Sequence, residues 1–520
     1  MKQFFRKVVV SCMTCATFLC LCEAVKAQPK DTLIIGLASL GGERLDYTRP
    51  SGGTNRELRR VLARELIEIG PNGEFIPGVA ESWKANAGST VWDLFLRKGV
   101  KWHNGDSLTA QDVIFGVDRM KRPEISAGYF TSGLYENLDH VEAINDHQVR
   151  YHFKRAFPVF PFFVNVALPV PKKYLQTVGD EVFTNSKPVG MGPFKLVRMV
   201  KGGEYEFEAF DGYFGTKPAF KRLILKIMPE NSTRIAALKT GEIDIAKDVQ
   251  GRALTELRST PGLSITSAPS GTSSHLNFAH LYEKDSPWAD VRVRKAVAMA
   301  IDRQTIAMTI FAGEASPAIF PECGKCGTFG MPKDLKPWPY DPVAAKALLA
   351  EAGYPNGLPG EWDLQTMQSG SAPSQPEVTQ AVGSYLAKIG IKTKFQLMEG
   401  GAFGAAYRSK KLKGLPVKGS GETNLDVGLK KDVWAARAEA WSMLNDEDTN
   451  KLWDEQMKTA DVEKRRKLLE DAVRIMVNEA RVIPLVEVNT IFGLGKRIKE
   501  YKLRQGTLYV TDALENVVFK

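Results

Sequence analysis

The sequence predicts an α/β fold divided into two or three domains, and three observations carry that prediction. The chain has 520 residues with 43% hydrophobic and 25% charged content, more than one core can use, because single cores stop growing near about 250–300 residues. Segments with strand periodicity and segments with helix periodicity alternate along it. Beyond the first 27 residues, no stretch stays apolar over the roughly 20 residues that a membrane span requires.

At the start, Lys2, Arg6 and Lys7 precede an apolar run from Val8 to Leu21, and Ala24-Val25-Lys26-Ala27 follows with small residues of the A-x-A cleavage type. Residues 1–27 therefore read as a secretory signal peptide removed before Gln28, which implies a periplasmic location. The run is too short for an anchor. Leu19-Cys20-Leu21 also lacks the small residues expected before a lipidated Cys22. Loss of this leader takes the formal charge from +10 to about +7. The basic residues are interspersed with acids rather than clustered with aromatics, so a nucleic-acid partner is not expected.

Four of the six cysteines (Cys12, Cys15, Cys20, Cys22) leave with the leader, and Cys323 and Cys326 remain in PECGKCG. In an oxidising compartment the leading expectation is a short local disulfide that pins this Gly-rich loop. Half a metal site is the alternative, although a structural zinc needs four ligands and no second C-x-x-C accompanies the pair. A thioredoxin-like role ranks lower, because the pair does not open a helix within a βαβ pattern.

Along the remaining chain, Thr32–Leu37 is an apolar strand, and residues 55–69 have helical spacing, with Leu58, Val61, Leu62, Leu66 and Ile69 on one face. Val91, Trp92, Leu94 and Leu96 mark a half-buried strand, Asn104-Gly105 a tight turn, and Thr109 and Asp112 a helix start. His103 reads as a turn or surface histidine. Gln148–Phe153 is a strand, and the Pro-rich stretch from Phe157 to Pro171 predicts loops and short pieces. Gly190-Met191-Gly192-Pro193-Phe194 is a glycine turn entering a strand. Strands over 204–210 and 222–228 precede a helix over 231–240, then a turn and strand over 241–246. The longest helical signal runs from Val291 to Phe311, with Asp302 expected to cap or pair rather than to act as an acid. Pro342 opens a helix stopped by Gly353. Residues 386–397 give a turn and strand, residues 462–478 an amphipathic helix, and residues 482–486 a buried strand.

Several of these elements resemble, in order, those of the extracytoplasmic solute-binding proteins that serve ABC importers of the peptide and nickel class, family 5. The matching pieces are GVAESWKANAGSTVWDLFLRKGVKWHNGDSLTAQDVIFGVDRM from Gly78 to Met120, GMGPFKL from Gly190, the helix and turn ending in GEIDIA, AIDR at 300–303, and AAKALLAEAGY. Together they span about Leu33 to Val486. The resemblance implies an α/β, two-lobed periplasmic-binding-protein-like fold (type II, cluster C-like) with an extra inserted domain. Carried onto this chain, domain I combines residues 28–76, 189–272 and 490–520, the inserted domain II is 77–188, and domain III is 273–489. It further implies capture of a peptide or similar solute between the lobes, an ABC permease in the inner membrane as partner, and a monomer.

By position in that family, the segment entering the third domain lines the cleft, which makes Thr272, Ser273, Ser274 and His275 candidate ligand contacts. Tyr47 and Arg49, in the loop after the first strand, are candidates for stacking and for pairing with an anion. The chain departs from peptide-binding relatives in two places. The loop Met367-Gln368-Ser369-Gly370-Ser371-Ala372-Pro373 lacks their arginine for the peptide carboxylate, and Val417 to Asn424 lacks their tryptophan and D-P pair. Glu422 is the remaining candidate partner for an amine, since a desolvated ammonium needs a carboxylate or several acceptors. A metal-chelate receptor is the alternative function, and an enzyme or chaperone-like factor ranks behind it. No catalytic residue, cofactor or metal-ligand set is assigned: the chain has no G-x-S-x-G, H-E-x-x-H, Walker or dinucleotide motif, and its six histidines show no ligand spacing.

Overall fold

A computed structural model describes residues 31–40, 44–48, 55–70, 74–125, 134–321, 328–367, 374–420, 427, 443–444, 446–504, 506–507 and 509–520. Arg49, Glu422, Cys323, Cys326 and the leader lie outside these residues. Thr32–Leu37 is apolar on both faces, as a strand covered from both sides must be. It lies between Arg222–Ile227 and Ile245–Lys247, parallel to each. Leu33, Ile35 and Leu37 are fully buried, each contributing about 1.5–3 kcal/mol. Around Leu364 a second parallel set forms, Glu361–Met367 between Lys392–Met398 and Leu415–Ser420.

Two long antiparallel strands, Ser264–Leu276 and Ile483–Leu494, join the two sets into one eleven-stranded sheet. The first pairs with Leu415–Ser420 and the second with Ile245–Lys247, so each parallel set hangs on one of the crossing strands. Two separate buried clusters follow. One gathers Leu33, Ile35, Phe207, Leu225, Phe492 and Tyr501. The other gathers Leu276, Val297, Leu364, Val382, Val417 and Val486.

A further four-stranded antiparallel sheet, in the order Ala80–Ala85, Val91–Leu96, Gln148–Phe153 and Leu138–Asn145, has its own core, including Leu94, Val149, Tyr151 and Phe160. Asn104-Gly105 turns as its sequence predicts, with Gly105 at φ +92. At the start of helix Ala110–Met120 the expected capping comes chiefly from Asp112, whose carboxylate accepts the Thr109 amide at 2.9 Å and the Lys172 amide at 2.9 Å.

Two helices are shorter than their periodicity predicts. Residues 55–69 divide into a helix, Asn55–Leu62, and a strand, Ile67–Ile69. The helix stops where the Leu62 carbonyl accepts the amides of Met191 and Gly192 instead of a residue of its own chain segment. The long signal over 291–311 divides into Val291–Ala300 and Arg303–Ile310. Here the Arg303 guanidinium donates to the carbonyls of Ala298, Ile301 and Pro484 at 2.6–3.0 Å and so takes over the helix-end acceptors. Asp302 opens the second helix by accepting from the Thr305 amide at 2.9 Å, which is the capping role expected of it.

His103, half-buried in a turn as one of the two sequence readings has it, ties the four-stranded sheet to the glycine turn. Its Nδ1 accepts the Gly190 amide at 3.2 Å while Nε2–H donates to the Gly192 carbonyl at 3.1 Å. Only the neutral ring makes both bonds, and burial pushes its pKa down from 6.5 to about 4. In the folded state the ring resists protonation that the unfolded chain accepts, so stability is full above about pH 6.5 and falls as the pH drops toward 4. The depression from 6.5 to about 4 is worth up to about 3 kcal/mol. Denaturant titrations at pH 7.5 and 4.5 should show this loss for the wild type and a smaller one for His103→Gln, which offers donor and acceptor without titrating. Equal losses in both proteins would remove His103 from the account.

Candidate ligand cleft

In open α/β sheets, ligands bind outside the carboxyl ends of the parallel strands, where loops and helix starts leave backbone groups free. This fold has two such edges. On the first lobe they lead into residues 38–48 after Leu37, the turn at 228–230, and residues 248–251 after Lys247. On the second they lead from Met367, Met398 and Ser420.

The crossing strands fix how the edges face each other. Lys247, at the carboxyl end of the first set, pairs with Phe492, whereas Ser420, at the carboxyl end of the second, lies opposite Ser273 and so level with Glu487. From Glu487 to Phe492 is five strand steps, about 17 Å. Both carboxyl edges thus open toward one space, floored by residues 268–273 and 487–492. Midway along that floor the register shifts between Pro269 and Thr272, and Gly271 has φ +75. Ser270 spans the irregularity, donating to the Val488 carbonyl at 2.7 Å and accepting the Thr272 amide at 3.1 Å. A bulge at this point gives the two lobes a place to bend. Glu314 of the second lobe holds the floor from behind, accepting Asn489 Nδ2 at 3.0 Å and pairing with Arg258 of the first lobe.

The loop after the first strand is braced from below. Asp46 and Arg119 are fully buried and paired at 2.6 Å, Arg119 also donates to Thr48 Oγ1 at 2.6 Å, and Asp180 closes the group from the helix Lys172–Asn185. Tyr47 lies within this brace. Its hydroxyl donates to the Val189 carbonyl at 3.0 Å and its ring meets Phe183 edge-on at 5.6 Å, so ring and hydroxyl serve the wall's own packing. At the next strand end, Lys247 Nζ sits 2.8 Å from Glu57, a carboxylate that also accepts the amides of Val510 and Thr511. Burial alone would depress the Lys247 ammonium, but Glu57, with Asp248, outweighs it and holds the pKa above the usual lysine range.

Thr272, Ser273, Ser274 and His275 are all buried on the crossing strand where it meets the second lobe. Ser273 Oγ donates to the Pro321 carbonyl at 2.9 Å and Ser274 Oγ to Gln375 Oε1 at 2.8 Å, so both hydroxyl protons are committed within the protein. His275 stands beside Lys418 across the strand pair. Gln375 escaped the sequence reading. It is fully buried on the first turn of helix Gln375–Ala387, and its Nε2 has no hydrogen-bond partner among the described residues. The Gly-Ser-Ala-Pro-Ser run before it was its only signal.

Comparison with known proteins agrees with this geometry. Residues 74–418 match the model of the bacterial extracellular solute-binding proteins, family 5. Di/tripeptide-binding protein 2 of Pseudomonas aeruginosa (strain UCBPP-PA14) is 31% identical over 404 residues, 73% of this chain and 74% of that protein. The dipeptide-binding protein of Escherichia coli (strain K12) is 29% identical, covering 68% of this chain and 69% of that one. Among solved structures, the periplasmic binding protein DppA from Helicobacter pylori, in complex with peptide STSA, superposes with a TM-score of 0.75 at 22% identity, over 94% of this chain and 98% of its own. Its fold is the two-lobed one expected from the sequence. The chain belongs to the family 5 bacterial extracellular solute-binding proteins, the substrate-binding components of ABC importers.

Proposed function

We propose that the exported protein captures a peptide or a similar small organic solute between its lobes, closes on it, and hands it chemically unaltered to an ABC permease of the inner membrane. The observation that carries this reading is the facing of two carboxyl edges across a bulged pair of crossing strands, supported by the peptide ligands named for the P. aeruginosa and E. coli relatives. Under the same proposal residues 1–27 are a signal peptide, the receptor works as a periplasmic monomer, and Cys323 and Cys326 pair with each other. Three of the buried clusters support a division close to domain I (28–76, 189–272, 490–520), domain II (77–188) and domain III (273–489), with Leu66 and Ile67 packing into the domain II core and Leu168, Val170, Leu175 and Phe183 into the domain I core. Arg49 and Glu422 come after the first strand and the strand Leu415–Ser420 in the sequence, and under this proposal they pair with an anion and an amine of one zwitterionic solute.

Di- and tripeptides should raise the unfolding temperature saturably and be recovered intact. A ligand at one hundred times its dissociation constant adds about 2.7 kcal/mol to stability. Small-angle scattering should show a smaller radius of gyration in the bound state. Hydrolysed peptide, or saturable binding with an unchanged radius, would count against capture by closure.

A further inference from the structure

We propose that His140, Glu142 and His152 form a binding site for a divalent transition ion of the zinc type on the edge of the four-stranded sheet. Leu138–Asn145 is the edge strand, and the hairpin register sets His140 directly opposite His152. The two imidazoles lie parallel, 8° apart in plane, with centroids 4.1 Å apart. Glu142, one step along the same face, brings Oε1 to 3.0 Å from His152 Nε2. One ligand atom from each of the three residues falls within 4.8 Å of the others. Around a tetrahedral zinc, with bonds of about 2.0–2.1 Å, ligand atoms stand about 3.4 Å apart. From within 4.8 Å, these half-exposed side chains close on an ion by moving on the order of an ångström or more and tilting the two parallel rings so that their lone pairs converge.

Two neighbours prepare the site. Asp139 Oδ2 lies 2.9 Å from His140 Nδ1, so it accepts the hydrogen bond from Nδ1–H and leaves Nε2 as the nitrogen with a lone pair, the arrangement by which carboxylates orient metal-bound histidines. Arg150 stands opposite Glu142 in the register, yet it turns away to Asp93, at 2.8 and 3.2 Å, so Glu142 is left for the ion. When the ion binds, it replaces the proton between His152 Nε2 and Glu142, and that proton moves to His152 Nδ1. Two nitrogens and one carboxylate oxygen suit Zn(II), Ni(II) or Cu(II) and not Mg(II) or Ca(II). The fourth position takes water. Such an ion clips the edge strand to its neighbour.

Calorimetric titration of Zn(II) into full-length exported protein, free of affinity tag and stripped with a chelator, should show one equivalent bound. His140→Ala/His152→Ala should weaken binding on the order of a hundredfold, and Asp139→Asn, which touches no ion, about tenfold. Cys323→Ala/Cys326→Ala should bind as the wild type does, and the zinc absorption edge should report nitrogen and oxygen neighbours only. These histidines lie on the surface, so melting curves of the variants should match the wild type. Absence of zinc binding, sulfur in the coordination shell, or equal affinity in the double histidine variant would each overturn the site.

Discussion

Arg119→Met should destabilise the protein by about 3–5 kcal/mol, the cost of removing one member of a buried ion pair. Arg119 comes from helix Ala110–Met120 and Asp46 from the loop after the first strand, and neither side chain is exposed at all. Methionine fills the volume but takes the guanidinium away from the Asp46 carboxylate, while the hydrogen bonds from the amide and hydroxyl of Thr48, at 3.0 and 2.6 Å, remain. Asp180 suffers less, because Arg122 stays within 2.7 Å of it. Asp46→Asn/Arg119→Met should recover part of the loss, because the buried carboxylate charge is then removed together with its guanidinium. Denaturant unfolding of the two variants measures both terms. A single-variant cost below about 1 kcal/mol would show that water reaches the pair. Solute affinity should fall with stability, since the same pair braces a wall of the cleft.

Gly190→Ala should cost about 3 kcal/mol or more and leave the protein mainly in the insoluble fraction. A Cβ at this position would stand 1.8 Å from the Leu62 carbonyl oxygen, a contact with backbone that no rotamer change relieves. That oxygen accepts the amides of Met191 and Gly192, and the Gly190 carbonyl accepts the amide of His103 at 2.7 Å. Separating the Leu62 carbonyl from the glycine turn gives up two hydrogen bonds of about 1 kcal/mol each, besides the overpacking. Met191→Leu, a swap of similar volume at a fully buried side chain, should cost under about 1.5 kcal/mol. If both variants unfold at the same denaturant concentration, close approach is not the reason for glycine here.

The elements legible in the sequence were those set by short-range periodicity. Thr32–Leu37, Gln148–Phe153 and the pair near residues 204–227 lie where alternation and apolar runs put them. What periodicity misses is competition from distant residues. An amphipathic stripe runs unbroken through Ile301, and it takes a guanidinium reaching the Pro484 carbonyl to end the helix there. The strand expected over 482–486 continues to Leu494 because Ile245–Lys247 and Ser264–Leu276 both need it as a partner. His140 and His152 looked unrelated for the same reason: their eleven intervening residues match no ligand spacing, and only the hairpin register puts them side by side. At the cleft, family position pointed to Thr272 to His275 on the crossing strand, whereas a hydrogen-bond partner such as Gln375 comes from a helix start preceded by a Gly-Ser-Ala-Pro-Ser run that carries no periodicity.

The sheet of the first lobe takes its opening strand, Thr32–Leu37, from near the start of the sequence and the partner of Ile245–Lys247 from beyond residue 483. Nearly the whole polypeptide must therefore be available before that lobe acquires its last ladder. Loop-closure entropy over so long a separation makes this step slow. Until it happens, Ile245–Lys247 remains an uncovered edge open to strands of other chains. The second lobe's parallel strands, all drawn from residues 361–420, face no such wait and are placed to fold first.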